Sequence, residues 1–195
     1  RVLISQGHME LLGLIESINI ADISEEMLAK ILQFKGEILS LLGRFEEAKE
    51  AFGAAQEQAA NSKNNSILAE ALSALADISL KQGSLDESLA MHKEALEILI
   101  KQKDAVGAAR SYNNMGYLLR RKNDNSKAIE SYSQVERILE ENEDSELISS
   151  QLILARSLMD LGEIDRARDH ALTAFDKTEK SNDKQLHARA QAVLG

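Results

Sequence analysis

The sequence predicts an all-helical fold, a solenoid of short antiparallel helix pairs. Three observations predict it. The composition favours helix throughout, two registers of small residues recur about every forty positions, and apolar residues between them follow helical spacing.

Composition comes first. The 195 residues are 44% apolar and 28% charged, enough to bury a substantial core. There is no Pro, Trp or Cys, and aromatics make up 4%. A sandwich or barrel with so few aromatics and no Pro in its turns would be unusual. Ala, Leu, Glu, Lys, Gln and Arg all favour helix. Without Cys there is neither a disulfide framework nor a thiolate metal site.

The repeat is read from four turn positions. Gly43, Gly83, Asn123 and Gly162 fall 40, 40 and 39 residues apart. Each is a residue type that tolerates the left-handed conformation ending a helix. Five residues after each comes a small residue: Ala48, Ser88, Ala128 and Ala167. Seven before each comes another: Gly36, Ala76, Gly116 and Ala155, with Gly195 forty beyond the last. Small residues in both helices let two backbones approach closely. Leu68, Leu72, Leu75 and Ser79 trace one buried helix face, and Leu85, Leu89, Ala95, Leu96 and Leu99 trace the next. Ser84 and Glu87 have the spacing of a capping box.

In order, the pattern predicts helices near 8–19, 24–42, 44–61, 66–82, 84–102, 104–122, 125–141, 145–161, 163–181 and 183–194. Residues 1–6 leave room for a short extra helix. Short connections make neighbours antiparallel, and each pair needs a stacked neighbour to cover its apolar face.

With those residues laid out, the chain resembles the tetratricopeptide repeat family. Repeat three carries the pattern most fully, in Tyr112, Met115-Gly116, Leu119, Asn123, Ala128 and Tyr132. Repeat one carries Leu32, Gly36, Leu39, Gly43, Ala48, Phe52 and Ala55. In repeats two and four, His92 and Ala171 stand where the family places an aromatic. The unit is longer than the usual one and lacks its terminal Pro. That longer form is similar to kinesin light chains, Pins-like polarity proteins and the sensor arms of signal-transduction ATPases such as the maltose regulator.

The resemblance implies a right-handed superhelix. It divides the chain into a degenerate preceding helical pair at 1–27 and repeats at about 28–65, 66–103, 104–143 and 144–182, with a half repeat at 183–195. It also leads to the expectation that the native chain continues on both sides. Further, it implies that the first helix of each repeat lines a concave groove, where an Asn two residues before the Gly holds a ligand backbone; Asn114 matches that Asn.

Chemistry is sparse. The ten glycines form no phosphate loop or dinucleotide fingerprint. His8, His92, His170 and His187 are not at metal-ligand spacing on one helix. No catalytic residue, cofactor or metal is expected, and the chain is read as a non-enzyme. Asp169-His170 would need a distant Ser to form a triad. His92 is read as the packing residue of its repeat. The acidic run at 140–144 is read as a solvated turn. A net charge of −9 argues against nucleic acid as a direct partner, and no apolar run is long enough to span a membrane. A cytoplasmic location is expected.

One segment runs against the overall charge. Residues 105–122 contain no acidic side chain but carry Arg110, Arg120, Arg121 and Lys122. Arg110, Asn113, Asn114, Tyr117, Arg120 and Arg121 recur at three- and four-residue spacing, and most share one side of a helix. Gly116 must face its partner helix, which turns Asn113, Tyr117 and Arg120 elsewhere. The groove positions of neighbouring repeats include Lys30, Gln33, Glu37, Glu70, Ser73 and Asp77 before it, and Ser149, Leu152 and Arg156 after it.

The expected partner-binding set is therefore Arg110, Asn113, Asn114, Tyr117, Arg120, Arg121 and Arg156. It suits a protein or peptide, in particular an acidic segment. A solvated face whose basic last turn offsets the helix dipole is the plain alternative. Arg120→Glu is expected to weaken binding without lowering stability. The function expected is a protein-interaction module within a larger regulatory, signalling protein. The alternative is a structural adaptor that self-assembles through its uncapped solenoid ends, in particular the C-terminal one, where Leu186, Ala190 and Val193 are expected to be partly exposed.

Overall fold

The computed structural model describes residues 2–19, 23–142, 147–181 and 184–194. Among them every regular element is helical: α1 Val2–Glu16, α2 Glu25–Leu41, α3 Phe45–Asn61, α4 Asn65–Lys81, α5 Leu85–Gln102, α6 Ala105–Arg121, α7 Asn125–Glu141, α8 Ile148–Asp160, α9 Ile164–Ser181 and α10 Lys184–Leu194. Expectations for Glu143, Asp144, Asp183 and Gly195 lie outside the described residues. α1 is one helix where the sequence suggested a break near Gly7. No helix among the described residues is long and apolar enough to cross a membrane.

The turns show why the pattern works. Gly43, Gly83 and Gly162 have φ of 77°, 86° and 83°, and Asn123 has 61°. At Gly43 the chain folds back so that Arg44 N donates to Leu39 O (2.9 Å) and Gly43 N to Ser40 O (3.1 Å). The same two bonds recur at Gly83, Asn123 and Gly162. They satisfy carbonyls that the helix end would leave unpaired.

Lys63 and Lys103 also adopt positive φ, 56° and 60°, at the joints between repeats. A residue with a Cβ is strained there. Lys63→Gly and Lys103→Gly are each expected to stabilise the protein by up to about 1 kcal/mol, read as a higher urea midpoint.

Helix starts use side chains. Ser24 Oγ accepts from Met27 N, Asn64 Oδ1 from Ile67 N, Asp104 Oδ1 from Gly107 N and Asp124 Oδ1 from Lys127 N. Each supplies an acceptor to an otherwise unpaired donor. The capping box expected at Ser84 and Glu87 does not form. Ser84 takes part through its main chain, and the Glu87 carboxylate faces Lys49 Nζ at 3.5 Å instead.

The chain divides into two compact units, residues 1–102 and 103–195. In the first, α2 packs on α3 and α4 on α5, with α2 also against α4 and α1 against α2. Its core joins Leu12, Ile38, Leu39, Phe52, Leu75 and Ile78. In the second, α6 packs on α7 and α8 on α9, with α8 also against α6 and α10. Tyr132, Leu118, Leu154 and Leu158 are fully buried there.

The small residues sit where helices touch. A Cβ at Gly36 would lie 2.6 Å from the Phe52 ring, and one at Gly116 would enter the Tyr132 ring. In repeats two and four the same register carries Ala76 and Ala155, sixteen residues before His92 and Ala171. Gly thus stands sixteen residues before a large ring, and Ala before something smaller.

α10 corrects the expectation at one residue: Ala190 is fully buried, whereas Leu186 and Val193 are partly exposed as expected, half-buried against Ile148, Leu152 and Ala174.

Candidate functional site

The candidate site lies wholly in the second unit, on α6 and its stacked neighbour α8. α6 starts at the Asp104 cap and stops just before the positive-φ turn at Asn123, which places Arg120 and Arg121 in its last turn and leaves Arg110 in its first half. Gly116 faces α7 through the Tyr132 ring, so the flanking residues point to α8 or to solvent.

Tyr117 is 38% exposed, a large share for an aromatic ring. The Arg120 and Arg121 guanidinium carbons lie 5.6 and 6.0 Å from its ring centroid. Both distances suit attraction between a cation and the ring face. Arg110 and Arg121 are exposed and Asn114 is half-buried. Arg156 is exposed on α8, one repeat along from Tyr117. Arg110 and Arg156 form no ion pair among the described residues. The structure therefore gathers Tyr117, Arg120 and Arg121 directly, and sets Arg110, Asn114 and Arg156 on the same pair of helices.

Two residues do more structural work than the sequence suggested. Asn113 is only 1% exposed, and its Nδ2 donates to Ser150 O of α8 at 3.0 Å. Asn113 joins the stacked helices, and a ligand has no path to its side chain as placed. Arg120 is the second. Its guanidinium pairs with Asp160 of α8 at 3.2 Å. It also lies near the Tyr132 hydroxyl. Burial pushes that phenol above the usual tyrosine value, and Ser157 and Arg120 offset part of the rise. Arg120→Glu would put a carboxylate beside Asp160, so stability should fall along with any binding. The sequence-based expectation of an unchanged stability is corrected on this point.

Sequence reasoning missed a second charged cluster in this unit. Glu136 of α7 accepts from Arg166 Nε at 3.2 Å and from its terminal nitrogen at 2.7 Å. The His170 Nε2 lies 3.1 Å from the same carboxylate. Burial works to raise the Glu136 carboxyl, but Arg166 and then His170 outweigh it and hold it below the usual range. A carboxylate lowered by folding adds stability above its unfolded pKa and loses it as pH falls through the folded one. Glu136→Gln should therefore destabilise the protein near neutral pH, and the gap between the two urea curves should close in acid.

Among the described residues, no three His, Asp or Glu side chains converge as metal ligands.

Comparison with known proteins fits this architecture. The tetratricopeptide repeat model matches residues 27–101 and 67–141, together more than half of the chain. Comparison with curated proteins returns no match. Among solved structures, aspartyl phosphate phosphatase F from Bacillus subtilis superposes with a TM-score of 0.74 at 15% identity, over 87% of this chain and 45% of that one. The Rap conjugation gene regulator of plasmid pLS20, solved in complex with a Phr peptide, gives 0.73 at 15%, over 96% and 51%. The TPR-like repeats of a putative kinesin light chain from Podosopora anserina give 0.69 at 17%, over 91% of each chain. The chain thus spans about half the length of the first two, and at these identities the likeness speaks for the fold. On the match to its repeats, the chain belongs to the tetratricopeptide repeat family.

Proposed function

We propose that the chain is a protein-interaction module whose second unit holds an acidic peptide or helix of a partner protein. The contacts are Arg110, Asn114, Tyr117, Arg120, Arg121 and Arg156. The observation that carries this reading is the exposed Tyr117 flanked by two guanidiniums, on a chain of net charge −9. An exposed aromatic with arginines is a common composition for a binding hot spot. Asn114 adds a donor and an acceptor that a ligand main chain can use. A basic island on an acidic protein draws an acidic segment while the remaining surface repels it. The Rap regulator bound to a Phr peptide supports a peptide as the occupant.

In this reading the module binds and does not catalyse. It works in the cytoplasm as part of a larger regulatory protein, in the manner of the sensor arms of signal-transduction ATPases. The repeats divide at about 65, 103, 143 and 182.

The test is a displayed library of random dodecapeptides, panned on the protein and depleted on an Arg110→Glu, Arg156→Glu double variant. The surviving pool should carry a clear excess of Asp and Glu. A pool without that excess, or no pool, contradicts the reading.

One observation favours a second reading, self-association. Met159, Ile164, Ala167, Ala171, Val193 and Leu194 line an open, mainly apolar depression of about 120 Å³. Ile164 is 49% exposed there. If a second copy fills it, sedimentation should show a dimer that Ile164→Glu abolishes.

A further inference from the structure

The first unit carries a face of opposite character, and we propose that it is a separate docking surface for a basic peptide segment. Glu37 and Ser40 of α2 and Ala74, Asp77 and Lys81 of α4 surround a cleft of about 350 Å³. Leu41 walls it and Phe52 lies beneath it. Glu37 and Asp77 hold the repeat positions that Tyr117 and Arg156 hold in the second unit, so carboxylates stand where that unit has a ring and a guanidinium.

The carboxylates are the reason for choosing a cationic guest. Glu37 receives only an amide hydrogen bond, from Gln33 Nε2 at 3.3 Å. Neither Glu37 nor Asp77 pairs with a lysine or arginine among the described residues. The lysines nearby are already engaged. Lys30 pairs with Glu26 at 2.8 Å, while Lys81 lies 3.4 Å from Ser40 Oγ and 5.0 Å from the centre of the Phe45 ring.

A buried group points the same way. His92 is fully buried, and its Nε2 faces Asp77 Oδ1 at 3.6 Å. Neither ring nitrogen has a hydrogen-bond partner. Asp77 thus meets a buried imidazole on one side and the open cleft on the other, and among the described residues no lysine or arginine forms an ion pair with it.

The apolar lining selects the rest of the guest. Leu41 is 69% exposed and Phe34, on the same helix, 47%. A lysine or arginine has an aliphatic stem that can lie along Leu41 and Ala74 while its head reaches Glu37 and Asp77. An apolar neighbour in the same peptide would cover Phe34. This surface shares no residue with the arginine face, so either assignment can fail without the other.

A net charge of −9 attracts any basic peptide weakly, so the test must remove that background. The same peptide library is panned on the protein and depleted on a Glu37→Lys, Asp77→Lys double variant. The surviving peptides should be basic and carry an apolar residue. Each should bind the double variant at least about tenfold more weakly, with the difference shrinking as salt rises. Thermal melts accompany each titration. If the lysine variant does not fold, a Glu37→Gln, Asp77→Asn variant replaces it and should give a loss in the same direction. An empty pool, a neutral or acidic pool, or equal affinity for the variant overturns the proposal. So does self-association that disappears in the same variant, which would give the face to a second copy. Loss of binding by these peptides in the Arg110→Glu, Arg156→Glu variant would also count against a separate surface.

Discussion

Ala128→Leu and Ala48→Leu are each expected to destabilise the protein by about 1–3 kcal/mol. Both alanines are fully buried between the helices of a pair. A leucine there adds three carbons to a contact that has no room, and the helices can separate only by breaking their packing on the next pair. Gly116→Ala tests the same contact from the facing helix. Alanine gains roughly 1 kcal/mol of helix propensity over glycine, but its Cβ would enter the Tyr132 ring. Tyr132 is itself fully buried and cannot swing aside. The net effect should be destabilising by about 1–2 kcal/mol. In a double-mutant cycle, Tyr132→Ala should remove most of the Gly116→Ala penalty. Urea unfolding of the wild type and the five variants, the cycle's double variant included, measures all of this.

The positions carrying that prediction were legible in the sequence, because turn chemistry and close helix contact each demand a residue type. Gly43, Gly83, Asn123 and Gly162 all take the left-handed conformation that their types allow. Lys63 and Lys103 take it as well, and nothing in a lysine announces it. The face of α6 was legible only in part. Periodicity shows which residues turn away from α7, but not how far α8 covers them. Asn113 therefore looked free and is buried against Ser150, and Arg120 looked free and is paired with Asp160. The Glu136 cluster draws on residues 30 and 34 positions away, a separation at which local pattern carries no information.

Arg156→Glu should have the largest effect on binding. Arg156 is exposed and carries no ion pair among the described residues, so reversing its charge leaves the helix packing intact. For an acidic peptide recovered from the library, attraction becomes repulsion at one contact. Affinity should fall about tenfold or more at low salt, with the loss shrinking as salt rises. The melting temperature should stay within a degree or so, as for most surface substitutions. Asn114→Ala should weaken the same peptide by a smaller factor that does not depend on salt, since it removes neutral hydrogen bonds. Arg120→Glu should lower both affinity and melting temperature, and that pair of losses separates it from Arg156.

The central claim is that the α6 and α8 faces of the second unit receive a partner peptide. Nuclear magnetic resonance of the isotope-labelled protein, titrated with a library-selected acidic peptide, tests it residue by residue. Shifts should concentrate at the Asn114 side-chain amide, the Tyr117 amide and the Arg110, Arg121 and Arg156 side chains, with the buried Asn113 amide shifting less. Shifts confined to α7 and α9, or absent at saturating peptide, would contradict the account.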